Sequence, residues 1–170
     1  MKISSITFLS AMLAAVFVLS AVESLFLTLP FLPPHAKPGL SNIVVMYCLF
    51  CVGYKQAVGL NAAKSLFVLL TRGSTAGLLS LCGGMLSIAV IILALKLFER
   101  KDVKMSYASV SVSGAIAHNL GQFAAVMLLF TASAMIFFLP VLIMSGIATG
   151  LLTGTLLKIL MPALARIRRD

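Results

Sequence analysis

The chain has 170 residues, 61% of them hydrophobic and only 10% charged, with a mean hydropathy of +1.15. Apolar runs of roughly twenty residues recur along it, which excludes a soluble domain and leaves room for a single all-α membrane bundle and no second domain. The net charge of +9 does not mark a nucleic-acid protein: Lys96, Arg100, Lys101 and Lys104 flank one apolar run, Arg166, Arg168 and Arg169 close another, and no basic stripe interleaves with aromatics between them.

In chain order, the first predicted span covers residues 3–29 and ends at Pro30-Phe-Leu-Pro-Pro-His-Ala-Lys-Pro38, because proline cannot continue a helix. Lys2, the apolar stretch and Ser20-Ala-Val22 also have the outline of a secretory signal, but the stretch is too long for one and reads as a retained helix. Residues 40–54 and 56–71 make two short spans. At about 15 residues each they reach roughly 22 Å, against a hydrocarbon core of roughly 30 Å. Lys55 and Gly59 interrupt them, a pattern in which frayed helix ends line a cavity; one kinked helix is the plainer alternative. Residues 76–98, 106–130 and 134–160 complete six spans, with residues 99–105 as a charged connector.

Six spans place both termini on one side. Lys2, Lys55, Lys96, Arg100, Lys101, Lys104, Lys158 and the Arg166 cluster then share a face and only Lys37 and Arg72 lie opposite, so the positive-inside rule makes the termini cytoplasmic and the proline-rich loop external.

Small residues mark packing faces. Gly146, Gly150 and Gly154 recur every four residues on the last span, and such a stripe lets a second helix approach closely. Ala11 and Ala15 on the first span, and Gly77, Ser80, Gly84 and Ser87 on the fourth, are similar faces for internal packing or a partner helix. Cys48, Cys51 and Cys82 all fall in spans; the Cys48-Leu-Phe-Cys51 spacing has no second pair or polar context, so these thiols read as small hydrophobes and no metal or cofactor is expected.

The functional signal is polar. Glu23 and Lys64 are the charged residues deep inside apolar stretches, where an ionisable group is costly enough to need a role. Asn61 lies one turn before Lys64 and Arg72 two turns after, aligning a cationic edge that suits an anion. Glu23 either neutralises Lys64 as a buried pair or serves the ligand, and the two are compatible. On the fifth span Gly114, His118 and Gln122 stack on one face with Asn119 beside them, giving either a ligand or proton site or an interhelical polar clamp.

Four segments carry a resemblance: Lys37-Pro-Gly-Leu-Ser-Asn-Ile43, Ser80-Leu-Cys-Gly-Gly-Met-Leu-Ser87, Ser111-Val-Ser-Gly-Ala-Ile-Ala-His-Asn-Leu-Gly-Gln122 and Leu139-Pro-Val-Leu-Ile-Met-Ser-Gly-Ile-Ala-Thr-Gly150. From about Lys37 to about Leu160 the chain resembles the Gx transporter family, also known as heptaprenyl diphosphate synthase component I; the first span is matched only in character. The resemblance implies a six-helix fold similar to the substrate-binding (S) components of energy-coupling factor transporters, multi-pass proteins of the bacterial plasma membrane that capture vitamins and cofactor precursors at an external pocket. It also implies that Ala11 and Ala15, in an Ala-x-x-x-Ala pattern, contact a coupling subunit. Lys64 stands where the family usually has arginine, so a bidentate clamp becomes a point charge here.

The synthase description can be tested against the residues. Prenyl-chain synthases of the known kind hold magnesium with paired Asp-rich motifs, whereas this chain has four acidic residues, Glu23, Glu99, Asp102 and Asp170. It also lacks a glycine-rich phosphate loop, so it is not expected to catalyse alone or to hydrolyse ATP. The favoured expectation is a transport protein of S-component type that binds a small cofactor-like or isoprenoid-like anion. Lys64 and Arg72 counter the ligand's charge, Asn42, His118, Asn119 and Gln122 fix its polar groups, and Glu23 balances the resting site. Its partners would be membrane lipid and an ATP-hydrolysing coupling module. The alternatives are a non-catalytic accessory to polyprenyl diphosphate synthesis that anchors a prenyl synthase subunit, and a membrane subunit of an electron-transfer complex.

Overall fold

A computed structural model describes residues 5–26, 39–99, 106–130 and 133–169. Lys2, the proline-rich loop with Lys37, and the connector carrying Arg100, Lys101, Asp102 and Lys104 lie outside them, as do Asp170 and the side chains of Glu99, Arg166, Arg168 and Arg169. The described elements are helical: α1 (Ser5–Phe26), α2 (Leu40–Cys51), α3 (Tyr54–Arg72), α4 (Ser74–Glu99), α5 (Tyr107–Phe130), a 3-10 turn (Ser133–Phe138) and α6 (Leu139–Arg169).

Four of these helices, α1, α4, α5 and α6, are long and apolar enough to cross a membrane, which by length and composition makes the chain a multi-pass membrane protein. The other two are not spans by that measure. α2 has 12 residues, about 18 Å at the helical rise. Its sequence is apolar on every side because protein surrounds it: Ser41, Ile43, Val45, Met46, Tyr47, Cys48 and Leu49 are buried. α3 carries Lys55, Lys64 and Arg72.

The break between α2 and α3 falls at Val52 and Gly53 rather than at Lys55. Both amides close back on the Cys48 carbonyl, at 2.9 and 3.0 Å, and Gly53 takes φ 143°, a conformation open to glycine and few other residues. The two short helices are therefore separate. α6 begins after the 3-10 turn and runs past the predicted end at residue 160, with Pro162 inside it.

Helices consecutive in the chain alternate in direction. Glu23 and Phe8 of α1 meet Ser41 and Tyr47 of α2, so those helices are antiparallel. α3 meets α4 through Leu69 at Gly77 and Asn61 at Gly84, and α5 meets α6 through Val112 at Gly150 and Ala108 at Gly154. α5 packs most extensively, on α4 and α6, and α2 closes the bundle against α1, α3 and α6. Because lipid is as apolar as the side chains, these contacts hold by close van der Waals packing rather than by escape from water. The core joins Met12 and Val16 of α1, much of α2, Ala57 and Leu60 of α3, Ile88 and Ile91 of α4, Val110 of α5 and Leu157 of α6.

The stripe of Gly146, Gly150 and Gly154 lies in the α5–α6 contact, facing Ile116, Val112 and Ala108 in turn. On α1, Ala11 is exposed and Ala15 half-buried. Cys48 is buried, Cys51 approaches the Met161 sulfur at 3.8 Å, and Cys82 is exposed on the outer surface of α4.

Candidate functional site

α2 is short, and it is also offset. Gly39, at its start, packs on Thr153 of α6, well inside the bundle, and Cys51, at its end, lies by Met161. The C-terminal halves of α1, α3 and α5 and the N-terminal halves of α4 and α6 continue past the first turn of α2, and they wall a cavity whose floor is that turn. Its empty space, the open mouth included, is about 790 Å³.

All seven residues singled out as ligand groups line this cavity: Glu23 from α1, Asn42 from α2, Lys64 and Arg72 from α3, and His118, Asn119 and Gln122 from α5. Gly114 lies among them, completing the α5 face seen in the spacing of the sequence. Among the described residues the charged lining is net positive, Lys64 and Arg72 against Glu23. Such a lining, in a site walled by apolar helices, favours an anion.

The hydrogen bonds show what holds each group. Glu23 is 4% exposed, and its carboxylate accepts from the Ser41 backbone amide at 3.1 Å and from the Ser41 hydroxyl at 2.8 Å. Ser41 lies in the first turn of α2, so a carboxylate from α1 occupies the positive end of the α2 dipole and satisfies an amide that the helix leaves open. On the other side of that turn, the Lys64 ammonium donates to Asn42 Oδ1. Charged side chains of α1 and α3 thus grip consecutive residues of α2. Arg72 donates to the Ser20 carbonyl at 2.6 Å, tying the end of α3 to α1.

Asn119 serves the scaffold. Its amide donates to the Leu142 carbonyl at 2.8 Å and to the Ser145 hydroxyl at 3.2 Å, so it clamps α5 to α6 at the cavity wall. His118 is buried with its backbone carbonyl against Gly83, and Gln122 packs on the same glycine.

Sequence reasoning missed the hydroxyl lining, and it gave Ser80 and Ser87 to a packing face. Ser20, Ser80, Ser87, Ser111, Ser145, Thr149 and Thr153 all face the cavity. In a helix such hydroxyls bond to their own backbone, as Thr149 does to the Ser145 carbonyl at 2.8 Å and Thr153 to that of Gly150 at 3.1 Å, so in the sequence they carry no mark of cost.

Removing the carboxylate tests the capping role. Glu23→Ala leaves the buried Ser41 amide and hydroxyl without their acceptor, and a loss of about 2 kcal/mol is expected for such orphaned groups. The expected result is a lower melting temperature with the bundle still formed, read by thermal circular dichroism. An unchanged melt would remove Glu23 from the scaffold and leave it to the ligand.

No curated protein and no solved structure matches the chain. A family model does, over residues 12–160, so the match begins on α1 and extends further toward the N-terminus than the Lys37 start of the resemblance. It takes in α2 to α5, most of α1 and α6, and all seven of the predicted ligand groups. The chain belongs to the family described as heptaprenyl diphosphate synthase component I.

Proposed function

We propose that the protein is a non-catalytic membrane component that captures a small anionic organic molecule in this cavity and moves it across the bilayer, in the manner of an S component. The supporting observation is the convergence of Lys64, Arg72, Asn42, His118 and Gln122, drawn from three helices, on one net-positive cavity. Among the described residues Glu23 is the acidic residue of the lining and is already bonded to Ser41, so no carboxylate pair for magnesium stands among them.

On this reading all six helices lie in the membrane, α2 sheltered by the others, with the termini cytoplasmic. Lys55, Lys96 and Lys158 are exposed toward one end of the bundle, whereas Arg72 and the cavity lie toward the other. The positive-inside rule makes the first end cytoplasmic, so the cavity faces outward. Ala11, exposed on α1, and Ala15 beside it supply a surface for a coupling subunit. The family description supports a second reading, an accessory that anchors a prenyl synthase subunit at the membrane.

Purification of the tagged protein from its native membrane, with mass spectrometry of the proteins and small molecules that accompany it, separates these readings. An ATPase pair with a transmembrane coupling subunit supports capture and transport. A prenyl synthase subunit without them moves the assignment to the accessory role. In the same preparation His118→Ala and Gln122→Ala are each expected to lower the retained ligand at least tenfold, about 1.4 kcal/mol, with an unchanged elution profile. Aggregation of both variants would instead make the α5 patch a structural clamp.

A further inference from the structure

A second, smaller hollow meets the main cavity at Asn42, Met46 and Ser87, which line both spaces. Val45, Leu49, Ile88 and Ile91 make its other walls apolar. Among them stands Asn61, 1% exposed, and neither its Oδ1 nor its Nδ2 has a hydrogen-bond partner among the described residues. The Ser65 hydroxyl, one turn further along α3, is committed to the Asn61 backbone carbonyl at 2.9 Å and leaves the amide unserved.

A buried carboxamide with both ends unsatisfied is a standing cost to the fold, and such groups are rare unless something fills them. The seat of this one is built in. Gly84 of α4 lies directly against the Asn61 amide, and a Cβ at that position would collide with Oδ1, Cγ and Nδ2 together. Any other residue at position 84 would push the amide aside.

The size of the hollow selects the partner. The centre of a water molecule has about 10 Å³ to occupy there, which is room for one water and for no organic molecule. A buried water bonds to about three polar groups that would otherwise go unsatisfied. Among the described residues, the polar side chains of this hollow are Asn61, Asn42 and Ser87. Water both donates and accepts, so it serves either end of a carboxamide.

Asn42 links this hollow to the main site. Its Oδ1 accepts from the Lys64 ammonium at the cavity floor, and Lys64 follows Asn61 by three residues on α3, roughly 4.5 Å along the helix axis. We infer that the inner hollow is the site of one structural water, bonded to the Asn61 carboxamide and bridging it to Asn42 and Ser87. Asn42 is then held twice from α3, directly by Lys64 and through water by Asn61. Asn61 thereby acts as a positioning residue: it fixes Asn42, and Asn42 fixes the ammonium that meets the anion. The water site stands on the hollow itself, and the positioning role rests on the anion-capture reading above.

A structure of the full chain in nanodiscs, at a resolution where ordered waters are visible, tests the site. Density for a water within about 3.2 Å of Asn61 Oδ1 or Nδ2 is expected, and its absence from a well-ordered hollow overturns the inference. Calorimetric titration with benzoate, a carboxylate with no other polar group, tests the role. Asn61→Leu keeps the size of the side chain and removes the amide, so the water should be lost. Benzoate should then bind about fivefold more weakly, the scale of coupling within one hydrogen-bond network. The melting temperature should not fall, because an apolar side chain of similar shape suits these walls. Asn61→Val serves if the leucine variant does not fold. Asn61→Ser keeps a hydroxyl for the water and should bind benzoate as the unmodified protein does. Undiminished affinity in Asn61→Leu, or a serine variant as weak as the leucine one, overturns the positioning role. If the unmodified protein holds the water and binds no benzoate, the water site stands, and anion capture falls together with the positioning role.

Discussion

Gly150→Leu is expected to yield no monodisperse protein after detergent extraction. A Cβ at Gly150 would lie 2.5 Å from Val112 Cα, 3.0 Å from Val112 N and 3.1 Å from the Ser111 carbonyl oxygen. All three neighbours are backbone, so no side chain can rotate away and α5 and α6 must separate. Overpacking that side chains can absorb costs about 1–3 kcal/mol, and here the cost is larger because the contacts at Gly146 and Gly154 open together. Set against a typical total stability of about 5–15 kcal/mol, this is enough to lose the fold. Leu151→Ala, one residue on and 51% exposed, is the matched control and should elute as the unmodified protein does. Size-exclusion profiles and thermal melts of the pair decide the matter; a Gly150→Leu protein that elutes and melts like the control would mean that α5 and α6 are not in this contact.

Lys64→Met is expected to produce the largest loss of binding, on the order of 100-fold for an anionic ligand, or about 2.7 kcal/mol. Methionine keeps the length of the stem and removes the ammonium. Lys64 is 5% exposed, so its charge acts across a medium that screens it poorly. The fold should survive the change, because the variant loses the bond to Asn42 but is also relieved of a desolvated charge. Lys64→Arg should retain binding and tighten it for a carboxylate or phosphate that accepts two parallel bonds. Titration with benzoate at fixed ionic strength gives the affinity, and a melt taken alongside gives the stability. Undiminished affinity in Lys64→Met would remove Lys64 from the ligand site, and a collapsed variant would make it a strut for α2.

Most of the candidate site was legible because its members are expensive. An ion or an amide in an apolar stretch has to be satisfied by something, so Glu23, Lys64, His118 and Gln122 stood out one by one, and spacing on α3 and α5 joined them to Arg72 and Asn119. Their partners were not legible. Glu23 is paired with Ser41, a residue with no signal of its own, and Asn119 is turned to α6 rather than given wholly to the cavity. Asn61 looked like a neighbour of Lys64, and only its burial without partners against Gly84 distinguishes it.

The all-α, multi-pass membrane class and the small-residue stripe of α6 follow from the sequence by itself, because apolar length and residue size are properties of a segment wherever it is placed; of the six spans expected, four helices meet that measure among the described residues. The cavity does not follow in that way. It exists because α2 starts beside Thr153 rather than level with the start of α6, and that offset comes from the packing of helices separated by more than a hundred residues of chain, which no local pattern encodes.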